Sequence, residues 1–297
     1  MRAMKTSKDK VMLNVFGYII LAFFSVMCIF PFVLIISGSF SDNYSVAHYG
    51  FSVWPRAFSL QAYRFSFKEP MKILNAYETS IIVTICGTFL TLFIDSMAGY
   101  VLARRDYKYR NKFSFFFFFT TIFNGGLVPW YIMCIKYLHF SGHPLIAMIL
   151  PGAFSYFYII IIRSFIMSTP DSLAESAKID GANDFAIYIR IILPLAKPVL
   201  ATVGLFAALT YWNDWFNAMM FVNKDRFFPL QYFLYTIINS QVALNNISAA
   251  ANISTGNIPT DTFKLAVTII TTGPIVLLYP FLQKYFIKGM LVGAVKG

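Results

Sequence analysis

Six long apolar blocks joined by polar connectors constrain this 297-residue chain more than any other feature. About 20 consecutive apolar residues cross the hydrocarbon of a bilayer as a helix, because no water is present there to satisfy an unpaired backbone amide or carbonyl. The blocks run from about Val11 to Gly38, Tyr77 to Leu102, Phe113 to Ile135, Pro144 to Met167, Val199 to Phe221 and Phe263 to Phe286. Hydrophobic residues make up 58% of the chain and charged residues 12%, against roughly 25% charged in a soluble domain. An all-α integral membrane protein of six transmembrane helices, forming one membrane domain over residues 1–297, is expected. The first block could also be a cleavable signal peptide, but it far exceeds an h-region of about 7 to 15 residues and reads as a retained anchor.

The net charge of +11 does not point to nucleic acid, since Lys and Arg lie between the apolar blocks rather than on one polar face. It reports topology. With the N-terminus inside, sixteen of the 24 basic residues fall on the cytoplasmic side, including the cluster Arg104, Arg105, Lys108, Arg110 and Lys112. Both termini are then cytoplasmic, and membrane lipid is the chain's solvent. Two outer loops are long, about 39–76 and 222–262. In the second, Phe227 to Ile238 is apolar but too short to span, which fits either an excursion toward the membrane surface or an ordinary surface loop. The three cysteines, Cys28, Cys86 and Cys134, have no paired spacing, so they read as small core hydrophobes rather than a disulfide or metal framework.

The longest cytoplasmic connector, Ser168 to Pro198, spells two short helices with a bend. Thr169 can cap, Pro170 suits a first helical position, and Asp171 and Glu175 favour the positive helix end. Ser172 and Glu175 also have capping-box spacing, which would start the helix a turn later. Gly181 tolerates the positive φ of a helix end, and a second run sets Phe185, Ile189 and Ile192 on one face before Pro194 stops it. Small residues Ala174 and Ala177 beside Leu173 would let another protein approach closely. On physics alone this is either a docking knob or an amphipathic connector between two spans.

Glu175, Ser176 and Ala177, then Asp180, Gly181 and Ala182, then Ile191, Ile192, Leu193 and Pro194 resemble the EAA loop of bacterial ABC importer permeases. The middle residue of that Glu-Ala-Ala pattern, its first alanine, is Ser176 here, a small-for-small change. The segments NGGLVPWY (124–131), YWNDW (211–215), PLQ (229–231) and KGMLVGAVKG (288–297) are similar to carbohydrate-uptake permeases of the MalG-like kind, especially the LplC-like branch. The resemblance covers nearly the whole chain. It implies a type I permease fold with cytoplasmic coupling helices in a bacterial cell membrane, and ATPase coupling through Glu175 to Ala177, Asp180 to Ala182, Leu193 and Pro194. It also implies a tail, Gly293, Lys296 and Gly297, that reaches the ATPases. The implied partners are a second, MalF-like permease, two cytoplasmic ABC ATPases and an extracellular sugar-binding protein, with an oligosaccharide as cargo. The alternatives are a non-sugar solute or an intramembrane enzyme.

The chain has no phosphate-binding glycine loop with Lys and Ser or Thr, so ATP and Mg belong to the partner ATPase and the chain needs no cofactor of its own. HExxH and GxSxG are absent, which argues against an intramembrane enzyme. A charge at membrane depth faces protein or a water-filled path, and Asp95 and Asp214 are the two carboxylates inside apolar blocks. Asp214, with Trp212, Asn213 and Trp215, combines aromatic faces and hydrogen-bonding groups suited to sugar rings; it could equally lock a bend or pair with a partner permease. Asn124 is a further path candidate. Asp95 is expected to pair with Arg104 or Arg105. Glycine and proline recur inside the blocks, as at 125–129 and 151–152, and are compatible with a gated path. His139 and His143 flank a tight outer turn, a pair too sparse to indicate a metal.

Overall fold

The computed structural model describes residues 8–251 and 261–277. They are helical, and among them the single extended pairing is an isolated bridge between Ser41 and Phe58. They divide into two compact bodies, one from Met1–Pro70 with Ile237–Gly273, the other from Met71–Thr236 with Pro274–Gly297, each in its described part.

In the first body, α1 (Lys8–Ser39) is a 32-residue helix. None of its most apolar stretch is buried, as expected of a helix that is hydrophobic all round and meets lipid or another subunit. Its C-terminal end is fastened by polar contacts. Ser39 Oγ pairs with Tyr63 Oη of α3 (Gln61–Ser66) at 2.9 Å, and Asp42 caps α2 (Asn43–Tyr49) by accepting the amides of Tyr44 and Ser45. Asn43 Oδ1 accepts the amides of Asp261 and Thr262, at 3.2 and 3.4 Å, at the start of the helix 261–277.

The second body is built on α4 (Pro70–Ala103), 34 residues long, with 28% of its most apolar stretch buried. Around it stand α5 (Arg110–Ile122), α6 (Leu127–Ile132), α7 (Pro144–Ile149) and α8 (Tyr156–Met167). The connector region comes next as α9 (Ser172–Ile179), α10 (Asp184–Ile187) and α11 (Leu193–Leu195), and then come α12 (Lys197–Trp212) and α13 (Phe216–Phe221). The last of the body's helices, α14 (Leu230–Ala251), extends past its boundary. Two buried clusters organise the packing. One joins Tyr100, Ile162, Ile187, Tyr188, Ile192, Val199 and Val203; the other joins Val83, Met148, Tyr211, Ala218 and Val222.

Several expected spans are broken rather than straight. Two described helices, α1 and α4, are each long and apolar enough to cross a membrane, and up to five spans result when each bent pair counts as one. The third block turns by 112° between α5 and the helical stretch Leu127–Tyr137, and the fourth by 49° between Pro144–Gly152 and α8. The cause is local. Phe123 leaves helical dihedrals, Gly126 takes φ 88°, and Asn124 Oδ1 accepts the Gly126 amide at 2.8 Å. The fifth block is interrupted at Asn213 to Trp215, and the sixth is described only as far as residue 277.

The long connector 222–262 is helical over most of its described part, as the 22-residue α14. Its stretch QVALNNISAAA looks polar and small, but it holds no Gly or Pro and several alanines, so nothing in it breaks a helix begun by the apolar run before it. The cysteines need correction too: Cys134 is buried, whereas Cys28 and Cys86 are exposed on helix surfaces.

Candidate functional site

The connector 168–198 folds as a helix pair with a tightly specified bend. The first helix starts at Ser172, a turn later than Thr169 and Pro170 would place it, and the Asp171 side chain makes no cap. Its carboxylate instead meets Arg105 Nε at 3.3 Å. The helix ends in a Schellman motif: the Ala182 amide bonds to Ala177 O at 2.9 Å and the Gly181 amide to Lys178 O at 3.1 Å. Gly181 sits at φ 83°, the left-handed region that a β-carbon disfavours. Asn183 Oδ1 then accepts the Ala186 amide at 2.8 Å and opens α10.

Beyond α10 the backbone takes a π turn at Tyr188–Ile192. The expected face is corrected here: Ile192 is buried with Ile187 and Tyr188, while Phe185 and Ile189 are exposed, because the extra residue of a π turn rotates every later position about the helix axis. Nor does Pro194 end the run. The helical path continues through Leu193–Leu195 and turns by 81° at Ala196 into α12. Leu193 packs on the buried cluster and Pro194 is exposed.

Contacts fasten this pair to the end of α4. Arg104 Nε donates to Asp106 Oδ1 at 2.9 Å and its Nη1 meets Asp184 Oδ1 at 2.7 Å, while Lys178 Nζ reaches Asp106 Oδ2 at 2.9 Å. Tyr100 places its ring 5.9 Å from the Arg104 guanidinium and beside Tyr188, whose hydroxyl pairs with Ser96 Oγ at 2.6 Å. Hydrogen bonds from Arg104 and then Lys178 hold the Asp106 carboxyl well below the usual carboxylate range, and the bond to Asp106 in turn raises the Arg104 guanidinium. What the pair leaves exposed is Leu173, Glu175, Ser176, Ile179, Asp180 and Gly181, with Ala174, Ala177 and Ala182 half-buried behind them. Ile179 is 87% exposed, beside the left-handed glycine.

Asp95 is fully buried, and the arginines expected to pair with it are engaged elsewhere, Arg104 by Asp106 and Asp184 and Arg105 by Asp171. Both its oxygens accept the Ser155 amide at 3.2 Å. It therefore sits at the positive end of α8, where a helix leaves amides unpaired.

The breaks in the third, fourth and fifth blocks meet around a cleft of about 410 Å³ lined by Asn124, Gly126, Leu127, Trp130, Pro151, Gly152, Phe216 and Asn217. Tyr211 stands behind it: its hydroxyl donates to Ile149 O at 2.9 Å and pairs with Thr91 Oγ1 at 3.1 Å. A β-carbon on Gly152 would approach that hydroxyl to 3.0 Å, and one on Gly87 would lie 2.6 Å from the ring. Of the expected path residues, Asn124 lines the cleft. Asp214 Oδ1 accepts the Phe216 and Asn217 amides, at 3.0 and 3.1 Å, and Oδ2 accepts Asn217 Nδ2 at 2.6 Å, fixing the start of α13. Trp212 is buried with Ala76 and Leu230, Trp215 stacks on Tyr235 at 4.5 Å, and the Asn213 amide donates to Leu209 O at 2.9 Å.

Sequence reasoning passes over Arg104 and Asp106 as docking supports, Ile179 as an exposed contact, and Trp130, Phe216 and Asn217 as cleft residues. Asn217 carries a signal, standing three residues after Asp214 in the i, i+3 relation of an Asp that caps its own helix. Gly293, Lys296 and Gly297 lie outside the described residues. His139 and His143 flank a single 3-10 turn, and no group of three or more metal-ligating side chains occurs among the described residues.

Residues 10–292 match the family described as the inner membrane component of binding-protein-dependent transport systems. The chain is 37% identical to the polygalacturonan/rhamnogalacturonan transport system permease protein YtcP of Bacillus subtilis (strain 168), over 95% of this chain and 97% of the relative. It is 41% identical to the protein LplC of the same organism, over 91% and 90% of the two chains. Among solved structures it resembles, with a TM-score of 0.81 and 28% identity over 96% of this chain and 100% of the other, a chain of a bacterial ABC transporter involved in the import of the acidic polysaccharide alginate.

Proposed function

The chain belongs to the family of binding-protein-dependent transport system inner membrane components, and from that premise we propose that it carries a polysaccharide-derived oligosaccharide into the bacterial cytoplasm by alternating access. Within an ABC importer it is a multi-pass, non-catalytic permease. Transport relatives of polygalacturonan, rhamnogalacturonan and alginate systems support an acidic plant or algal glycan fragment as the cargo. The partners in this reading are a MalF-like permease, a pair of ATPases that bind ATP and Mg, and an extracellular sugar-binding protein, with both termini of this chain in the cytoplasm.

The observation that carries the reading is the shape of the 168–198 connector. A helix ended by a Schellman motif presents Leu173, Ser176, Ile179 and Gly181 outward, while ion pairs and a buried cluster fasten its other side to α4 and α12. Leu173 and Ile179 give this face exposed apolar contacts beside small residues. Motion of an ATPase that grips this face is transmitted to α4 and α12 as to one packed body, and the two access states are then biased by ligands at each face.

The test is co-purification of the ATPase with Gly181→Asp, Gly181→Leu and Ile179→Asp variants, together with substrate-stimulated hydrolysis in liposomes. We expect each variant to insert and pair with its permease partner, to retain little ATPase and to lose uptake. Wild-type retention and stimulation in all three would reduce the loop to a connector.

A further inference from the structure

We propose that the cleft where the three broken blocks meet is a carbohydrate subsite on this chain, one that reads ring faces and hydroxyls and is blind to charge. The inference deepens the permease reading and rests on it.

The cleft has the size of small-ligand sites, roughly 300 to 1,000 Å³, at about 410 Å³. Its aromatic side is Trp130 and Phe216, near-parallel at an interplanar angle of 21° with centroids 6.4 Å apart. Phe221 braces Trp130 edge-on at 5.2 Å, so the indole is held in place before any ligand arrives. Pyranose rings carry apolar C–H faces that pack on such surfaces, and aromatic groups supply contact area at little entropic cost.

Its polar side is two primary amides, each already half used. Asn124 spends Oδ1 on the Gly126 amide and keeps Nδ2 as a donor. Asn217 spends Nδ2 on Asp214 and keeps Oδ1 as an acceptor. The internal bonds orient both groups and leave donors on Asn124 Nδ2 and an acceptor on Asn217 Oδ1, the complement of a hydroxyl, which gives and takes a hydrogen bond at once. Asp214 acts here through Asn217 as a positioning residue. No Lys, Arg, His, Asp or Glu lines the cleft among the described residues. A carboxylate brought to membrane depth without a cation carries a desolvation penalty, so a uronate presents its ring and hydroxyls to this wall and keeps its acid group elsewhere. Selection for acidic over neutral oligosaccharides therefore lies outside this cleft.

The experiment uses the complete importer in liposomes with its binding protein outside, carrying Leu127→Cys on a chain whose Cys28, Cys86 and Cys134 are alanine. Under ATP-driven turnover, trigalacturonate and its neutral counterpart α-1,4-galactotriose are compared for protection of Cys at 127 from a maleimide, and uptake is measured in the same vesicles. Expected are protection several-fold in rate by both trimers, to the same extent, and a KM about tenfold higher in a separate Trp130→Ala variant, the size of one lost aromatic contact, with Trp130→Phe restoring most of it. Uptake with an unchanged labelling rate and wild-type kinetics in Trp130→Ala would overturn the subsite while leaving the permease reading intact. Protection by trigalacturonate alone, with galactotriose imported in the same vesicles, would overturn the blindness to charge. Absence of ATP-driven import of either trimer would remove the permease reading for these cargoes and the subsite with it.

Discussion

The two ends of the second body are built by different chemistry. At the connector, α9 and α10 are held by long side chains meeting across elements: Arg104 with Asp106 and Asp184, Lys178 with Asp106, Arg105 with Asp171. At the cleft, the chain is held by its own backbone and by close approach, with Asn124 on Gly126, Asp214 on Phe216 and Asn217, and the Tyr211 ring against Gly87 and Gly152. The first arrangement suits an element that is gripped from outside and must move as a unit, since flexible ion pairs tolerate small shifts. The second leaves the wall little room to shift, as suits a ligand wall. The contrast implies that substitutions at the cleft act through space and caps, and those at the connector through charge and salt.

The largest effect is expected from space. Gly87→Val places branched carbons where even a β-carbon lies 2.6 Å from the Tyr211 ring, and the ring cannot swing aside without breaking its bonds to Ile149 and Thr91. Overpacking of this kind costs about 1 to 3 kcal/mol, so the melting temperature of the purified complex should fall clearly. Gly181→Ala, with nothing within 4 Å of its β-carbon, should lower melting less and act through the left-handed backbone alone, at about 1 to 2 kcal/mol. Equal melting of Gly87→Val and wild type would show that Tyr211 does not stand where the structure has it.

An intermediate effect is expected from the cap. Asp214→Ala removes the acceptor for two amides at the start of α13, worth about 0.5 to 2 kcal/mol, and releases Asn217 toward the cleft. Uptake should show a raised KM with assembly intact. Asp214→Asn keeps the acceptor for the two amides but turns a donor toward Asn217 Nδ2, so it should restore melting and leave KM raised; a wild-type KM in this variant would mean that the bond to Asn217 does not position the cleft.

Legibility divides along the same line. The connector is readable because its signals are local: Gly181 at the bend and small residues on one face, although the capping box offered by the spacing of Ser172 and Glu175 does not form, Ser172 being the first helical residue after Asp171. What escapes there is the π turn at Tyr188–Ile192, which separates Phe185 and Ile189 from Ile192, since a register shift of one residue leaves no mark in a periodic pattern. The all-helical membrane fold is legible in six apolar blocks, but the 112° bend inside the third is not, because hydropathy counts residues and says nothing of direction. Proximity in sequence assigns Asp95 to an arginine, whereas the three-dimensional answer is a backbone amide of a helix 60 residues away. The cleft is legible only in part: Asn124 and the WNDW cluster stand out, but Trp130 and Phe216 are ordinary apolar residues until three breaks bring them together.

The smallest effect on stability, and the one that best tests the charge side of the comparison, belongs to Asp106. Its carboxylate is the shared acceptor of Arg104 and Lys178, yet its side chain is 51% exposed. Solvent screening therefore limits its removal to about 1 kcal/mol or less. Asp106→Asn should leave melting nearly unchanged. It also leaves Arg104 with Asp184 but frees Lys178, so α9 loses one of its two ties to the end of α4. The expected readout is coupling: substrate-stimulated hydrolysis falls several-fold while the ATPase still co-purifies. Salt should mimic the variant in the wild type, because raising ionic strength from about 0.1 to 1 M shortens the Debye length from about 10 to 3 Å. Because the folded-state pKa of Asp106 is depressed, its contribution is fully present above the ordinary carboxylate value of about 3.9 and is lost only as pH falls below it. Coupling should therefore show no titration by this group between about pH 6 and 8. A salt-insensitive wild type, or an Asp106→Asn complex that couples normally, would mean that the buried cluster of Tyr100, Ile187 and Tyr188 carries the motion without the ion pairs.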